Sequence, residues 1–360
     1  MNISDIFLMI GIMSVIYACY VVSMHVRTTR PFRARRYFKT TLDSAKSLAK
    51  THFQDANKTV IVPNQLGVFI FVLSRREAFE RREMIRNTWG KAHRNFVFVV
   101  GDKPCKWPKD LVKPWSCVRN NIPEDPGAVS RYRIDQNNIT KKLREEKQVL
   151  MVAMEDHYRA LPRKLKECYK WGIKHTAAQW FLKTDDDSFV RVDTLGRKLA
   201  KLFPYGSAYT VIGDIREGHK VDRFGKWTET TYKSEKYPPF PIGSSGHIVS
   251  RDVASYVAEN SPTLFEYQGE DVSMGIWLNE SPYKKQIKWV NADYMTNNKR
   301  CRDKSKIVIG HQLNSEEIKA CFDDDNYAKA HGMPGTNMQN EPYKKPNDGL
   351  RITVKNNRKI

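Results

Sequence analysis

Three consecutive carboxylates, Asp185-Asp186-Asp187, stand at the end of the apolar run Trp180-Phe-Leu-Lys-Thr184 and are followed by Ser-Phe-Val190. Such a run reads as a buried strand emerging at the edge of an open α/β sheet, where these sheets place their ligands. Side chains alternate along a strand, so Asp185 and Asp187 point to one side and Asp186 to the other. Two carboxylates on one side suit a hard divalent cation that keeps coordination positions for substrate phosphate oxygens. A second triple, Asp323-Asp324-Asp325, lies in a polar context with no strong strand before it and reads as solvated charge.

Other residues of suitable chemistry are scattered along the chain. Arg82 and Arg86 are four apart within a predicted helix from Ala78 to Trp89. They share one helical face, fit to clamp a diphosphate at the end of the preceding strand or to form a solvated basic face. Tyr237-Pro-Pro-Phe-Pro-Ile-Gly243-Ser-Ser-Gly246 combines prolines with glycines, as a pocket wall does where backbone must approach a ligand closely; a surface turn is the alternative. Glu270-Asp271 opens a short apolar helix, a position equally suited to a cap and to a base. Ile307-Val-Ile-Gly-His311 delivers a histidine at a strand end.

The elements that must position these residues form an alternating series. Strands are predicted at Gly67 to Leu73, Phe96 to Val100, Val149 to Ala153, Trp180 to Thr184, Val211 to Asp214 and Ile307 to His311. Helices are predicted from Ala78 to Trp89, Leu161 to His175 and Val192 to Leu202, and Lys103 to Gln136, rich in Pro, Trp and charge, reads as a loop or insertion. Strands alternating with helices predict a mostly parallel open sheet with helices on both faces.

The 360 residues carry a net charge of +21, which favours anionic partners: a phosphate-bearing substrate, a membrane surface or nucleic acid. No RNA-recognition signature, zinc-finger spacing or helix-turn-helix pattern accompanies the charge, so nucleic acid is the weaker option. Residues 6–24 form an uncharged apolar run that as a helix would measure roughly 28 Å, close to the thickness of a bilayer core. The expected organisation is therefore a short tail at 1–5, a transmembrane anchor at 6–24, a basic stem at 25–64, a folded domain at 65–322 and a disordered polar tail at 323–360. Arginines crowd the C-terminal flank of the run, and the positive-inside rule alone would leave the large domain cytosolic. The sequons at Asn57 and Asn138, and cysteines compatible with disulfides, point instead to a lumenal domain. Cys301 with Cys321, which bracket one predicted strand, is the first expected pair and Cys105 with Cys117 the second.

In this order the motifs resemble those of the Golgi β-1,3-glycosyltransferases, glycosyltransferase family 31, over roughly Gly67 to Phe322. Arg81 to Trp89 is similar to the family's first basic helix, Lys183 to Val190 to its Asp-x-Asp strand, and Tyr237 to Ser250 to its Tyr-Pro…Gly-x-Gly segment. Glu270-Asp271-Val272 is similar to its Glu-Asp-Val loop and His311 to its late histidine. Asp156-x-Tyr158 with Lys164 matches a further segment in part, Ala160-Leu161-Pro162 standing where Asn-Leu-Thr is usual.

The resemblance implies a GT-A type fold, a UDP-sugar donor, a glycan acceptor on lipid or protein, Mn²⁺ dependence, and inversion at the anomeric carbon in a Golgi membrane protein of single-pass type II. On it, Asp185, Asp187 and His311 bind the metal, Asp186 faces the ribose or sugar, and Arg82, Arg86 and Glu270 serve the nucleotide-sugar. Tyr237, Gly243 and Gly246 line the pocket, and of Glu270 and Asp271 it favours Asp271 as base. The donor spelling around Gln268 to Trp277 is nearest to N-acetylgalactosamine transfer, with galactose transfer close to it. Two other readings stand beside a transferase: an inactive relative that binds sugar or nucleotide, and a membrane-tethered basic protein that binds anionic lipid.

Overall fold

The computed structural model describes residues 67–204, 206–297, 301 and 307–330. The anchor and stem expected at 6–24 and 25–64, the sequon at Asn57 and the chain beyond 330 lie outside the described residues. Among the described residues no helix is long and apolar enough to cross a membrane.

The chain opens with β1 (Val68–Leu73), α1 (Phe79–Asn87), β2 (Phe96–Lys103), α2 (Pro126–Glu145), β3 (Val149–Glu155), α3 (Leu161–His175) and β4 (Trp180–Asp185). There follow β5 (Phe189–Val190), α4 (Val192–Leu202), β6 (Thr210–Gly213), β7 (Ile215–Arg216), β8 (Phe240–Pro241), β9 (His247–Ser250) and α5 (Arg251–Glu259). The last elements are α6 (Glu270–Glu280), β10 (Lys288–Asn291), β11 (Met295–Thr296), β12 (Ile309–Gly310) and α7 (Ser315–Ala330).

Seven strands form the central sheet in the order β10-β6-β9-β4-β1-β2-β3. All neighbours pair parallel except β9, which runs antiparallel between β4 and β6. The period of two in β1 accounts for the layering. Val68, Ile70 and Val72 enter one core with Ile85 beside α1, Leu195 and Leu199 of α4, and Ile318 of α7. Phe69, Phe71 and Leu73 enter the other with Leu165 and Tyr169 of α3, Val253 of α5, and Met274 and Trp277 of α6. Every residue of β1 is buried, as a strand covered by helices on both faces requires.

Three elements differ from the sequence reading. The segment expected as a loop contains the 20-residue α2, whose N-cap Asp125 accepts a hydrogen bond from the Gly127 N–H at 2.8 Å, with Pro126 in the first turn. Only Val129, Gln136 and Leu143 of α2 are buried, so the helix carries little apolar periodicity. The four-residue β9 is fully buried and too short to show a period. The boundary expected at 322 falls inside α7, because Asp325, 7% exposed, is drawn inward by Arg191 at 2.8 Å. Cys301 pairs with Cys321, tying this helix to the preceding loop, and Cys105 pairs with Cys117 in the β2–α2 connection. Cys168 stays a buried thiol.

Candidate active site

The C-terminal end of β4 lies beside that of β1, with Asp185 in register with Leu73. Past this point the chain turns, the Ser188 N–H donating to the Asp185 carbonyl at 3.2 Å, and continues as β5. The small sheet then does what sequence distance conceals. β12 pairs antiparallel with β5, Gly310 opposite Phe189, and the Leu313 N–H donates to the Asp187 carbonyl at 2.9 Å. His311 is thereby set against the triplet: its Nε2 lies 3.1 Å from Asp187 Oδ1 and 3.7 Å from Asp185 Oδ2.

Ligand atoms of Asp185, Asp187 and His311 all fall within 4.8 Å of one another. His311 Nδ1 is 2.7 Å from the Asn297 side-chain oxygen, which can only accept, so this nitrogen carries the proton and Nε2 presents its lone pair. Asp187 Oδ1 is buried with no hydrogen-bond partner, so two acceptors face each other. A cation resolves that conflict, and two carboxylates with one imidazole form a donor set that a divalent ion such as Mn²⁺ accepts. Burial, together with the charges of Glu270 and Asp187, pushes Asp185 up to about 6 despite Lys183.

Alternation sends Asp186 the other way. Its carboxylate accepts from Ser74 Oγ at 2.7 Å and from Arg81 at 3.3 Å, so it engages protein donors where a ribose or sugar contact was expected. Arg81 also lies 3.6 Å from Asp187. The expected clamp of Arg82 and Arg86 is not what the structure places here. Arg82 is fully buried and spends its donors on Glu146, Ser74 and the carbonyls of Arg75 and Arg76. Arg86 pairs with Glu83 and Glu146, donates to the Lys147 carbonyl and stacks on Phe98. A spacing of four puts two side chains on one face without saying whether that face meets ligand or protein, and Arg81 is the arginine at the triplet.

Lys183, inside the apolar run, is the residue that sequence reasoning missed. It is fully buried on β4, and its ammonium donates to the Gly243 carbonyl at 2.8 Å, Asp185 Oδ1 at 2.9 Å and Glu270 Oε1 at 2.7 Å. Burial opposes its charge, but Asp185 and Glu270 outweigh it and raise the ammonium pKa. His247 on β9 is pushed down to about 3 by burial and by Lys183, and is neutral. Lys183 therefore joins the Asp185 side of the triplet to Glu270 at the start of α6. A lysine in such a run could have been flagged, because a buried ammonium needs carboxylate partners.

At the start of α6, Asp271 Oδ1 accepts from the Val272 N–H at 2.8 Å and Oδ2 from the Gly243 N–H at 3.1 Å. Burial first, and the Glu270 charge second, push Asp271 up to about 6. The glycines expected to admit a ligand admit protein. A Cβ on Gly243 would lie 2.6 Å from Glu270 Oε1, and one on Gly246, at φ +78°, would lie 2.2 Å from the Lys183 carbonyl. Tyr237 is buried and stacked on Tyr232, with its hydroxyl unpartnered. Ser244 Oγ and Gln268 Oε1 are likewise buried without partners. Lys164 pairs with Asp156 at 2.6 Å and reaches the Ser74 carbonyl, bracing the end of β1. Asn138 is exposed on α2.

An open α/β sheet thus carries an acidic pair and a histidine at its strand ends, with a carboxylate raised toward neutrality at the start of α6. Residues 132–287 match the model of the Galactosyltransferase family, a span that holds the triplet and Asp271 but neither Arg81 nor His311. The chain is 42% identical over 130 residues to UDP-GalNAc:beta-1,3-N-acetylgalactosaminyltransferase 2 of Xenopus tropicalis, covering 36% of this chain and 26% of that protein. The human protein of the same name is 39% identical over the same length, at the same coverages. Beta-1,3-galactosyltransferase 6 of Mus musculus is 25% identical over 210 residues, 58% of this chain and 59% of that one. The chain thus spans about a quarter of the length of the first two relatives. A solved glycosyltransferase involved in glycosylation of the major capsid of PBCV-1 aligns at 11% identity and TM-score 0.29, over 70% of this chain and 98% of that one, a likeness too slight to inform the fold.

Proposed function

We propose that this chain is an inverting, Mn²⁺-dependent glycosyltransferase of GT-A type that moves N-acetylgalactosamine or galactose from a UDP-sugar to a glycan hydroxyl in β-1,3 linkage. One observation carries the reading: Asp185, Asp187 and His311 converge on a buried oxygen with no partner, and Lys183 ties that cluster to the base at Asp271.

Asp185, Asp187 and His311 would hold the cation, which supplies charge neutralisation to the departing diphosphate. Arg81, beside Asp187 and 38% exposed in its side chain, adds a second positive group on that side. Asp271 takes the proton of the acceptor hydroxyl as its oxygen bonds to the anomeric carbon and the bond to the diphosphate oxygen breaks on the opposite face. The backbone amides of Val272 and Gly243 fix the carboxylate, while burial raises its basicity into the range where a base is both ionised and strong at neutral pH. Lys183 holds Glu270 and Asp185 in place. The unpartnered Tyr237 hydroxyl, Ser244 Oγ and Gln268 Oε1 are groups that sugar hydroxyls would satisfy. Relatives named for N-acetylgalactosamine and galactose transfer support the donor class.

Two disulfides and an exposed Asn138 sequon support a lumenal domain on a Golgi membrane anchor at residues 6–24. The test is to incubate the protein with a panel of UDP-sugars, Mn²⁺ and glycan acceptors and to follow UDP release. Transfer from a UDP-hexose that stops on chelation is expected; transfer indifferent to chelation, or release from none of the donors, overturns the proposal.

A further inference from the structure

The connection between β7 and β8 is a long excursion built with unusual care. Val221 and Glu235, and Tyr237 and His219, are joined by backbone hydrogen bonds of 2.9 Å. The Arg223 guanidinium donates to the carbonyls of Glu229, Tyr232 and Ser234. Glu229, only 3% exposed, accepts from the Tyr232 N–H at 3.0 Å and from the Gln268 N–H at 2.8 Å, fastening the loop to the segment that leads into Glu270-Asp271. At the tip, Thr228 closes a turn on the Gly225 carbonyl and the Glu229 N–H returns to the Asp222 carbonyl at 2.8 Å.

Fixing a loop this firmly costs conformational entropy, yet the tip leaves Phe224 90% and Trp227 54% exposed. Aromatic rings held rigidly in water are characteristic of binding surfaces. The neighbours of the tip locate this one. Arg159 donates to the carbonyls of Thr228 and Lys226 at 2.8 and 3.3 Å. Tyr158, beside it, lies 4.7 Å beneath the Lys226 ammonium, which also stands 5.7 Å over the Trp227 ring. The loop is thus held beside the strand ends that Lys164 braces through Asp156 and Ser74, and Glu229 fastens it to Gln268, three residues before Asp271.

Resting on the transferase reading, we infer that Trp227, in the tip that Arg159 holds, is the platform on which the acceptor's pyranose ring stacks so that its hydroxyl reaches Asp271. The ligand is a hexopyranoside with an apolar C–H face, the surface that stacks on the π face of an exposed indole. The anchored tip confers specificity for ring shape and does not contact the donor phosphates, whose side of the site is at Arg81 and the triplet.

The experiment measures KM for a p-nitrophenyl β-hexopyranoside acceptor, chosen by screening epimers with the unsubstituted protein, at saturating UDP-sugar. Trp227→Ala should raise the acceptor KM about tenfold or more, with Trp227→Phe restoring most of the affinity. Ile134→Ala, an equally exposed apolar residue on α2, serves as the control and should leave the acceptor KM unchanged. An acceptor KM that stays within about twofold in Trp227→Ala overturns the platform while leaving the transferase reading intact. Absence of transfer by the unsubstituted protein to every hexoside overturns the transferase reading itself, and the platform with it.

Discussion

The chain contains the same three letters twice, and the two Asp-Asp-Asp segments have opposite fates. Asp185-Asp186-Asp187 ends a buried strand at a sheet edge, and two of its carboxylates meet a histidine and leave a buried oxygen without a partner. Asp323-Asp324-Asp325 lies within α7, where a helical turn sends the three side chains in different directions. Asp325 goes inward and receives both Arg191 nitrogens at 2.8 and 2.9 Å, while Asp323 stays exposed. The second triplet's inward carboxylate is satisfied by Arg191; the first, although Arg81 and Lys183 pair with it, keeps Asp187 Oδ1 without a partner. The difference lies in the elements that carry the letters.

Substitutions can break that contrast, beginning with the largest effect. Asp187→Ala should lower kcat/KM for sugar transfer by about a thousandfold or more, since a charge-stabilising contact made in the transition state is removed, while thermal unfolding shifts little. Asp325→Ala should do the reverse. Leaving Arg191 buried and unpaired costs about 3 to 5 kcal/mol, read as a lower denaturant midpoint, with transfer per folded molecule retained.

The base sharpens the comparison through pH. Asp271 has its pKa raised to about 6, so its active, ionised form is lost as pH falls through that value. The kcat/KM profile should decline about tenfold per pH unit below about 6, a limb that Asp325→Ala keeps and Asp271→Asn abolishes along with activity. Arg81→Ala should weaken the donor KM by about tenfold, as loss of one charged phosphate contact does, whereas Arg82→Ala should instead lower stability, leaving Ser74 and the buried carbonyls of Arg75 and Arg76 without its donors. Asp323→Ala, at the exposed end of the second triplet, should change stability by no more than about 0.5 kcal/mol and leave transfer alone.

The sequence was most legible where burial wrote a period. β1, β2 and β4 are continuous apolar runs, and α3 and α4 begin and end at the residues their spacing predicts, 161–175 and 192–202. It was least legible where an element exposes most of its surface, as α2 does, or buries too few residues to repeat, as β9 does. The candidate metal ligands Asp185, Asp187 and His311 could be named because their letters are chemically distinctive, but the pairing of β5 with β12 that joins them depends on the folded chain. Arg82 and Arg86 were misplaced, since spacing fixes a common face and not its environment. Lys183 and Asp325 were passed over because each looks ordinary in its local string, an isolated charge in an apolar run and one acid among many. Both are buried ions whose partners lie far away in sequence.

The central claim is that the first triplet and His311 hold a divalent cation that the second triplet cannot. Titrating Mn²⁺ into the protein in the presence of UDP, with free ion read by electron paramagnetic resonance, tests it directly. The account predicts uptake that Asp187→Ala abolishes and Asp325→Ala preserves. Uptake equal in both variants, or none by the unsubstituted protein, would contradict it.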